Sequence, residues 1–245
     1  MSPGAKTDEG ESSGARRRGR RLSKGQQAGV PPQPQVSKKR SKSMLGSIVE
    51  LVIIIVVALG LALAIQAFVV KPYRIPSGSM EPTLAINQRV LVDRIGFSSP
   101  HVGEIAVFHP PEGAEQEECG PTPHVIKMGE APCDAPVPKE SSVNFIKRIV
   151  AGPGDEIFIK EGHVYRKAAG KSTFVREQDS YIRACGESPE CNFPTAIRIP
   201  PDHWFMMGDN RGESDDSRFW GPVPAAWIIG EAFATYWPPD RIGSL

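Results

Sequence analysis

Ser77, Ser79 and Lys147 stand in surroundings that favour nucleophilic catalysis. The two serines fall in the run Pro76-Ser77-Gly78-Ser79-Met80-Glu81-Pro82-Thr83-Leu84. Its prolines fix the backbone and its glycine permits a sharp departure, so the run dictates a tight, irregular turn of the kind that presents a hydroxyl at a set angle. A serine-rich turn without chemistry explains the same run taken alone. Lys147 lies in the apolar strand pattern Phe145-Ile146-Lys147-Arg148-Ile149-Val150, which a Gly/Pro turn follows. If its side chain points inward, loss of hydration lowers its pKa from about 10.4 toward about 7 or 8, at a cost of roughly 4 kcal/mol, and leaves a usable general base. A strand lysine with its tip in water is the plainer alternative. The third polar run is Gly208-Asp209-Asn210-Arg211-Gly212-Glu213-Ser214-Asp215-Asp216-Ser217-Arg218. It fails as a calcium loop because Arg211 stands where an oxygen ligand is needed. A solvated loop fits it equally well when it is judged by itself.

The elements that must position these residues are a membrane anchor and a β-rich domain. Residues 51–70 are apolar apart from Gly60 and Gln66, and about 20 residues at 1.5 Å rise cover the roughly 30 Å hydrocarbon core. The run has no polar face, which argues against a core helix, and it is too long, after too long a leader, for a cleaved signal sequence. The expected division is a tail over 1–45, a transmembrane helix over 46–70 and an outer domain over 71–245. Net charge is only +1, yet Arg16, Arg17, Arg18, Arg20, Arg21, Lys24, Lys38, Lys39, Arg40 and Lys42 crowd the tail. Poor in large apolar side chains, that tail is expected to be disordered. Its basic residues put it on the cytoplasmic side and the domain on the outer face of the cell membrane. Without aromatic interleaving or a motif, no nucleic-acid partner is expected.

Beyond the anchor, short apolar stretches broken by Gly, Pro, Asn and Asp predict a mostly β, single antiparallel domain. Candidate strands cover 89–94, 104–109, 144–150, 156–160 with 163–166 as a hairpin, 195–199, 204–207 and 228–237. The Pro-, Gly- and Glu-rich residues between 110 and 142 predict a surface insertion. Cys119, Cys133, Cys185 and Cys191 are even in number and suit disulfides outside the cell, with three pairings open. A zinc site, with His109 and His124 nearby, is disfavoured because no two cysteines have the C-x2-4-C spacing, and neither metal nor cofactor is expected.

Together the three polar runs resemble the type I signal peptidases, the serine proteases also called leader peptidases. The pattern P-S-G-S-M-x-P-T-L is met in full at residues 76–84, and G-D-N-R-x-x-S-x-D-S-R at residues 208–218. The lysine block matches at 145–155, and a weaker block at 103–108 carries Glu104 where the family more often has Asp. One departure follows the lysine, where Ala151-Gly152 replaces the usual glycine and apolar residue before Pro-Gly-Asp. The resemblance implies Ser79 as nucleophile and Lys147 as general base. It implies that the Ser77 hydroxyl serves the oxyanion hole, that Ser214 holds Lys147, and that Arg148, Asp209, Asp216 and Arg218 form structural ion pairs of unassigned partnership. The implied substrates are membrane-tethered preproteins cut after small residues, typically Ala-x-Ala. Three alternatives remain: a peptidase dedicated to one pilin or conjugation protein, a non-catalytic membrane-tethered β scaffold, and a Ser-His-Asp protease. The last lacks a triad motif around His101, His109, His124, His163 or His203. A penicillin-interacting enzyme needs S-x-x-K, and Pro82 occupies the lysine position.

Overall fold

The structure is a computed structural model and describes residues 44–96 and 99–245. Most of the expected basic tail therefore lies outside the described residues.

Helix α1 spans Met44–Phe68, 25 residues without proline. Ile, Val, Leu and Ala supply most of it, and side chains such as Ile53, Val57 and Leu61 face outward. Such a surface is untenable in water. In hydrocarbon the helix is the natural solution, because every backbone polar group is satisfied within the segment. By length and composition, residues Met44–Ile65 suffice to cross a membrane.

The first strand, β1, begins two residues after the helix, at Val70–Arg74. It is followed by β2 at Arg89–Asp93, β3 at Ile105–Phe108 and the short pair β4 at Glu118–Cys119 and β5 at His124–Val125. Strands β6 at Phe145–Ala151, β7 at Glu156–Lys160, β8 at His163–Lys167 and β9 at Val175–Arg176 come next. The chain continues through β10 at Phe193–Arg198, β11 at His203–Met207 and a single helical turn, α2, at Ser217–Trp220. It closes with β12 at Val223–Pro224, β13 at Ile228–Trp237 and β14 at Gly243–Ser244.

The main sheet runs β1-β2-β13-β3-β6-β11-β12, with β14 added to β13, and β10-β7-β8-β9 form a second sheet. Named strands pair antiparallel throughout. Strand β13 pairs with β3 through its first half and with β2 through its second, and shifts register along the way. Such bulges increase local twist and curl a sheet on itself. The β7–β8 hairpin turns on Glu161 and Gly162, both at positive φ. That is the two-residue turn whose twist matches its strands.

Alternation decides what is buried. Val90 and Val92 of β2 join Ile105 and Val107 of β3 in one apolar cluster, which also takes in Ile75, Met80 and Leu84. A larger cluster gathers Ile149, Ala151, Ile157, Ile159, Phe193, Phe205 and Trp220 between the sheets. The segment over 110–142 is more than the surface insertion that its composition predicts. Ala114 belongs to the larger cluster, and Ile126, Met128 and Ala131 pack against it. The Cys133 N–H donates to the Arg218 carbonyl. Its polar composition conceals a few apolar contacts that dock it. The four cysteines pair as Cys119 with Cys133 and Cys185 with Cys191.

Candidate active site

The turn after β1 is held by its own apolar residues. Met80 and Leu84 are fully buried beneath it, while Ser79, the residue before Met80, retains 8% exposure. The Leu84 N–H donates to the Met80 carbonyl at 2.9 Å and the Glu81 N–H to the Gly78 carbonyl at 3.1 Å, which closes the turn. At its crest the Ser77 hydroxyl donates to Ser79 Oγ at 3.4 Å.

Lys147 reaches the same place from β6. Its strand is flanked by β3, where Ala106 lies opposite Lys147, and by β11, where Met207 lies opposite Arg148. Both neighbours leave the lysine inside, at 4% exposure. Among the described residues its ammonium group has no hydrogen-bond or ion-pair partner, and its nearest aromatic face is Phe145, 5.8 Å from the ring centroid. Burial lowers its pKa from 10.5 to about 8, against the opposing pull of Asp216, Asp215 and Asp209.

Ser77, Ser79 and Lys147 line one cavity of about 350 Å³, together with Pro76, Phe145 and Ile146 as apolar wall and Glu213 and Asp215 as acidic rim. The cavity therefore holds a hydroxyl and an amine that is easily deprotonated, walled by apolar side chains.

Residues 208–218 lock the two arms together. The Asn210 N–H donates to the Ser79 carbonyl at 3.0 Å, and the Asn210 side chain donates to the Gly78 carbonyl at 3.2 Å. Asp209 accepts from Arg148 at 2.9 and 2.7 Å and from the Thr83 hydroxyl at 2.6 Å. One buried carboxylate thus links the serine turn to the strand that carries Lys147. Arg148 is further packed against the Tyr181 ring, its guanidinium carbon 4.0 Å from the centroid. Asp216 accepts from Arg218 at 2.8 and 2.9 Å and from the Gly208 N–H at 3.0 Å. Burial alone would raise the Asp216 pKa, but the Arg218 charge and hydrogen bonds outweigh it and hold the carboxyl below its usual range.

The ion pairs left unassigned by sequence are thus Arg148 with Asp209 and Arg218 with Asp216. Ser214 is buried in the same loop, but its hydroxyl has no hydrogen-bond partner among the described residues, Lys147 included. A Cβ on Gly208 would lie well inside contact distance of both the Ser214 hydroxyl and the Ser79 carbonyl oxygen. Sequence reasoning missed Thr83, Tyr181, Asn210 and Asp215. Thr83 and Asn210 stand inside the quoted runs, so their positions carried a signal, whereas nothing in sequence brings Tyr181 to Arg148.

The protein-family model described as "Signal peptidase, peptidase S26" matches residues 48–237. A "Probable signal peptidase I-1" from Synechocystis sp. is 38% identical over 194 residues, covering 78% of this chain and 84% of its own. A "Probable signal peptidase I-2" from the same source is 35% identical, covering 86% and 83%. The "Signal peptidase I" of Leptolyngbya laminosa is 34% identical, covering 88% and 91%. The chain belongs to the signal peptidase family.

Proposed function

We propose that this member of the signal peptidase family is a membrane-anchored serine endopeptidase that removes signal peptides from exported preproteins, with Ser79 as nucleophile and Lys147 as general base. The observation that carries the reading is the shared cavity, which the Ser79 hydroxyl lines together with a buried amine whose pKa stands at about 8. Neutral Lys147 takes the hydroxyl proton as Ser79 attacks the scissile carbonyl, and returns it to the leaving amine. Water then hydrolyses the acyl-enzyme with the same base. The Ser77 hydroxyl, beside Ser79 Oγ, donates to the developing oxyanion together with the Ser79 N–H. Ser214, whose buried hydroxyl has no partner among the described residues, is the residue assigned to hold Lys147 in place.

The substrate enters in extended form and adds to a strand edge of the cavity. Walls of Pro76, Phe145 and Ile146 leave room for small apolar side chains and exclude bulk by contact, which accounts for cutting after Ala-x-Ala sequences. Only β1 and a turn separate Ser79 from the helix end at Phe68. At no more than about 3.5 Å per residue, the site stays near the bilayer surface, where a substrate tethered by its own signal helix is presented. The basic residues before the helix favour a cytoplasmic N-terminus and an outward-facing domain in the cell membrane.

The test is cleavage of a preprotein by the full chain in detergent. Ser79→Ala and Lys147→Ala should each lower kcat/KM by on the order of 10⁴ or more. Lys147→Arg should be equally inactive, because a guanidinium does not give up its proton in this range. Activity retained by any of the three overturns the reading.

A further inference from the structure

The carboxylates around Lys147 are not equivalent. Asp209 is matched by Arg148 and Asp216 by Arg218, each through two hydrogen bonds. Glu213 stands on the cavity rim in open solvent. Asp215 lines the cavity with Ser79 and Lys147, has no ion-pair partner among the described residues, and, Lys147 aside, has only the neutral Trp220 indole N–H nearby to offset its charge, without a well-formed hydrogen bond to its buried Oδ1. In the motif that carries the family resemblance, its position is unspecified. The pull of Asp216 on Lys147 is the larger, but the Arg218 charge bound to Asp216 opposes it, whereas no arginine bound to Asp215 opposes its pull.

We infer that Asp215 is a positioning residue for the reaction: its unmatched charge holds the proton on Lys147 and so sets the acid limit of cleavage. This rests on the reading of Lys147 as the base. The charged groups that face Lys147 are Asp216, Asp215, Arg218 and Asp209, and of the carboxylates only Asp215 has no arginine of its own. Asp215 in turn faces Asp216, Lys147 and Glu117, the last from the disulfide-held segment. Burial first, and the Asp216 charge second, raise the Asp215 carboxyl to about 6, so it is ionised where Lys147 titrates and gives up its hold as the medium turns acid. The two groups titrate as a coupled pair. Without the carboxylate, the amine loses its proton at lower pH and the acid limb of the rate profile moves with it.

The experiment is kcat/KM against pH for the full chain in detergent with a preprotein substrate, comparing wild type, Asp215→Asn, Asp215→Glu and Glu213→Gln, with Lys147→Ala as background. Asp215→Asn should lower the acid midpoint by about one pH unit, raising activity one unit below the wild-type midpoint about threefold relative to its own plateau, with the gain shrinking again near pH 6 where wild-type Asp215 is itself protonated. Asp215→Glu should keep the wild-type midpoint, and Glu213→Gln should move it by less than half as much as Asp215→Asn. Asp215→Ser replaces the asparagine variant if that variant does not fold. An unmoved midpoint on loss of the Asp215 charge, or an equal shift in Glu213→Gln, overturns the inference. An active Lys147→Ala variant overturns the base assignment beneath it.

Discussion

The carbonyl oxygen of Ser79 accepts the backbone N–H of Asn210 at 3.0 Å, which ties the serine turn directly to the loop that follows β11. Gly208, two residues earlier, lies so close to that same carbonyl that no side chain fits between them. The serine is thereby held from behind by backbone, and the cavity in front of it is left open for substrate.

Gly208→Ala should therefore damage the site more than its single methyl suggests. The added carbon meets the Ser79 carbonyl, which cannot move without shifting the serine turn. A loss of 1–3 kcal/mol is typical of forced overpacking, so about that loss is expected from thermal or denaturant unfolding, with kcat falling by on the order of 10² or more. A variant with wild-type kcat would mean that the serine turn is not held by this contact.

Lys147→Met should abolish cleavage and stabilise the fold. Folding lowers the lysine pKa from 10.5 to about 8, which corresponds to about 3 kcal/mol of destabilisation while the amine is charged in both states. The sign follows from proton linkage: the penalty is fully present below pH 8, shrinks as pH rises from 8 to 10.5, and is absent above that range. At pH 7 the methionine variant should gain on the order of 2 kcal/mol, while above pH 10.5 the two proteins should converge. Unfolding midpoints at the two pH values check both statements.

Asp216→Asn should be strongly destabilising, because it leaves the fully buried Arg218 guanidinium without its counter-charge. Breaking one half of a buried ion pair costs about 3–5 kcal/mol. The Asp216 pKa is depressed, so its contribution is present at neutral pH and is lost as pH falls through the lowered folded value. The difference between wild type and variant should accordingly narrow in acid. A constant difference across that range would show that the charge of Asp216 is not what matters.

Many of the strand positions were legible because alternation of apolar side chains leaves a local record. Strand β13 lies where the pattern puts it, and the Glu161-Gly162 hairpin turns where expected. Strand β1 was not legible, since Val70-Lys71-Pro72-Tyr73-Arg74 contains a proline and little alternation, and only the pairing with β2 defines it as a strand. A proline is tolerated at such an edge. The placement of residues 110–142 was also hidden, because docking depends on contacts with Arg218 and the distant core that no local pattern records. At the site, the serine turn and the strand lysine stood out by residue type, but Ser79 and Lys147 were singled out only by the resemblance of the three runs taken together. The partnerships of Arg148 and Arg218 required the fold, since several carboxylates lie equally near in sequence.

The central claim is that Lys147 sheds its proton near neutrality, and NMR measures it directly. In the full chain in detergent, with lysine side chains labelled at Cε, the Lys147 resonance is assigned by its absence from Lys147→Arg and followed against pH. The account predicts a midpoint near 8, well separated from the ordinary value of 10.5. A midpoint at or above 10 would leave Ser79 without a base and contradict the mechanism.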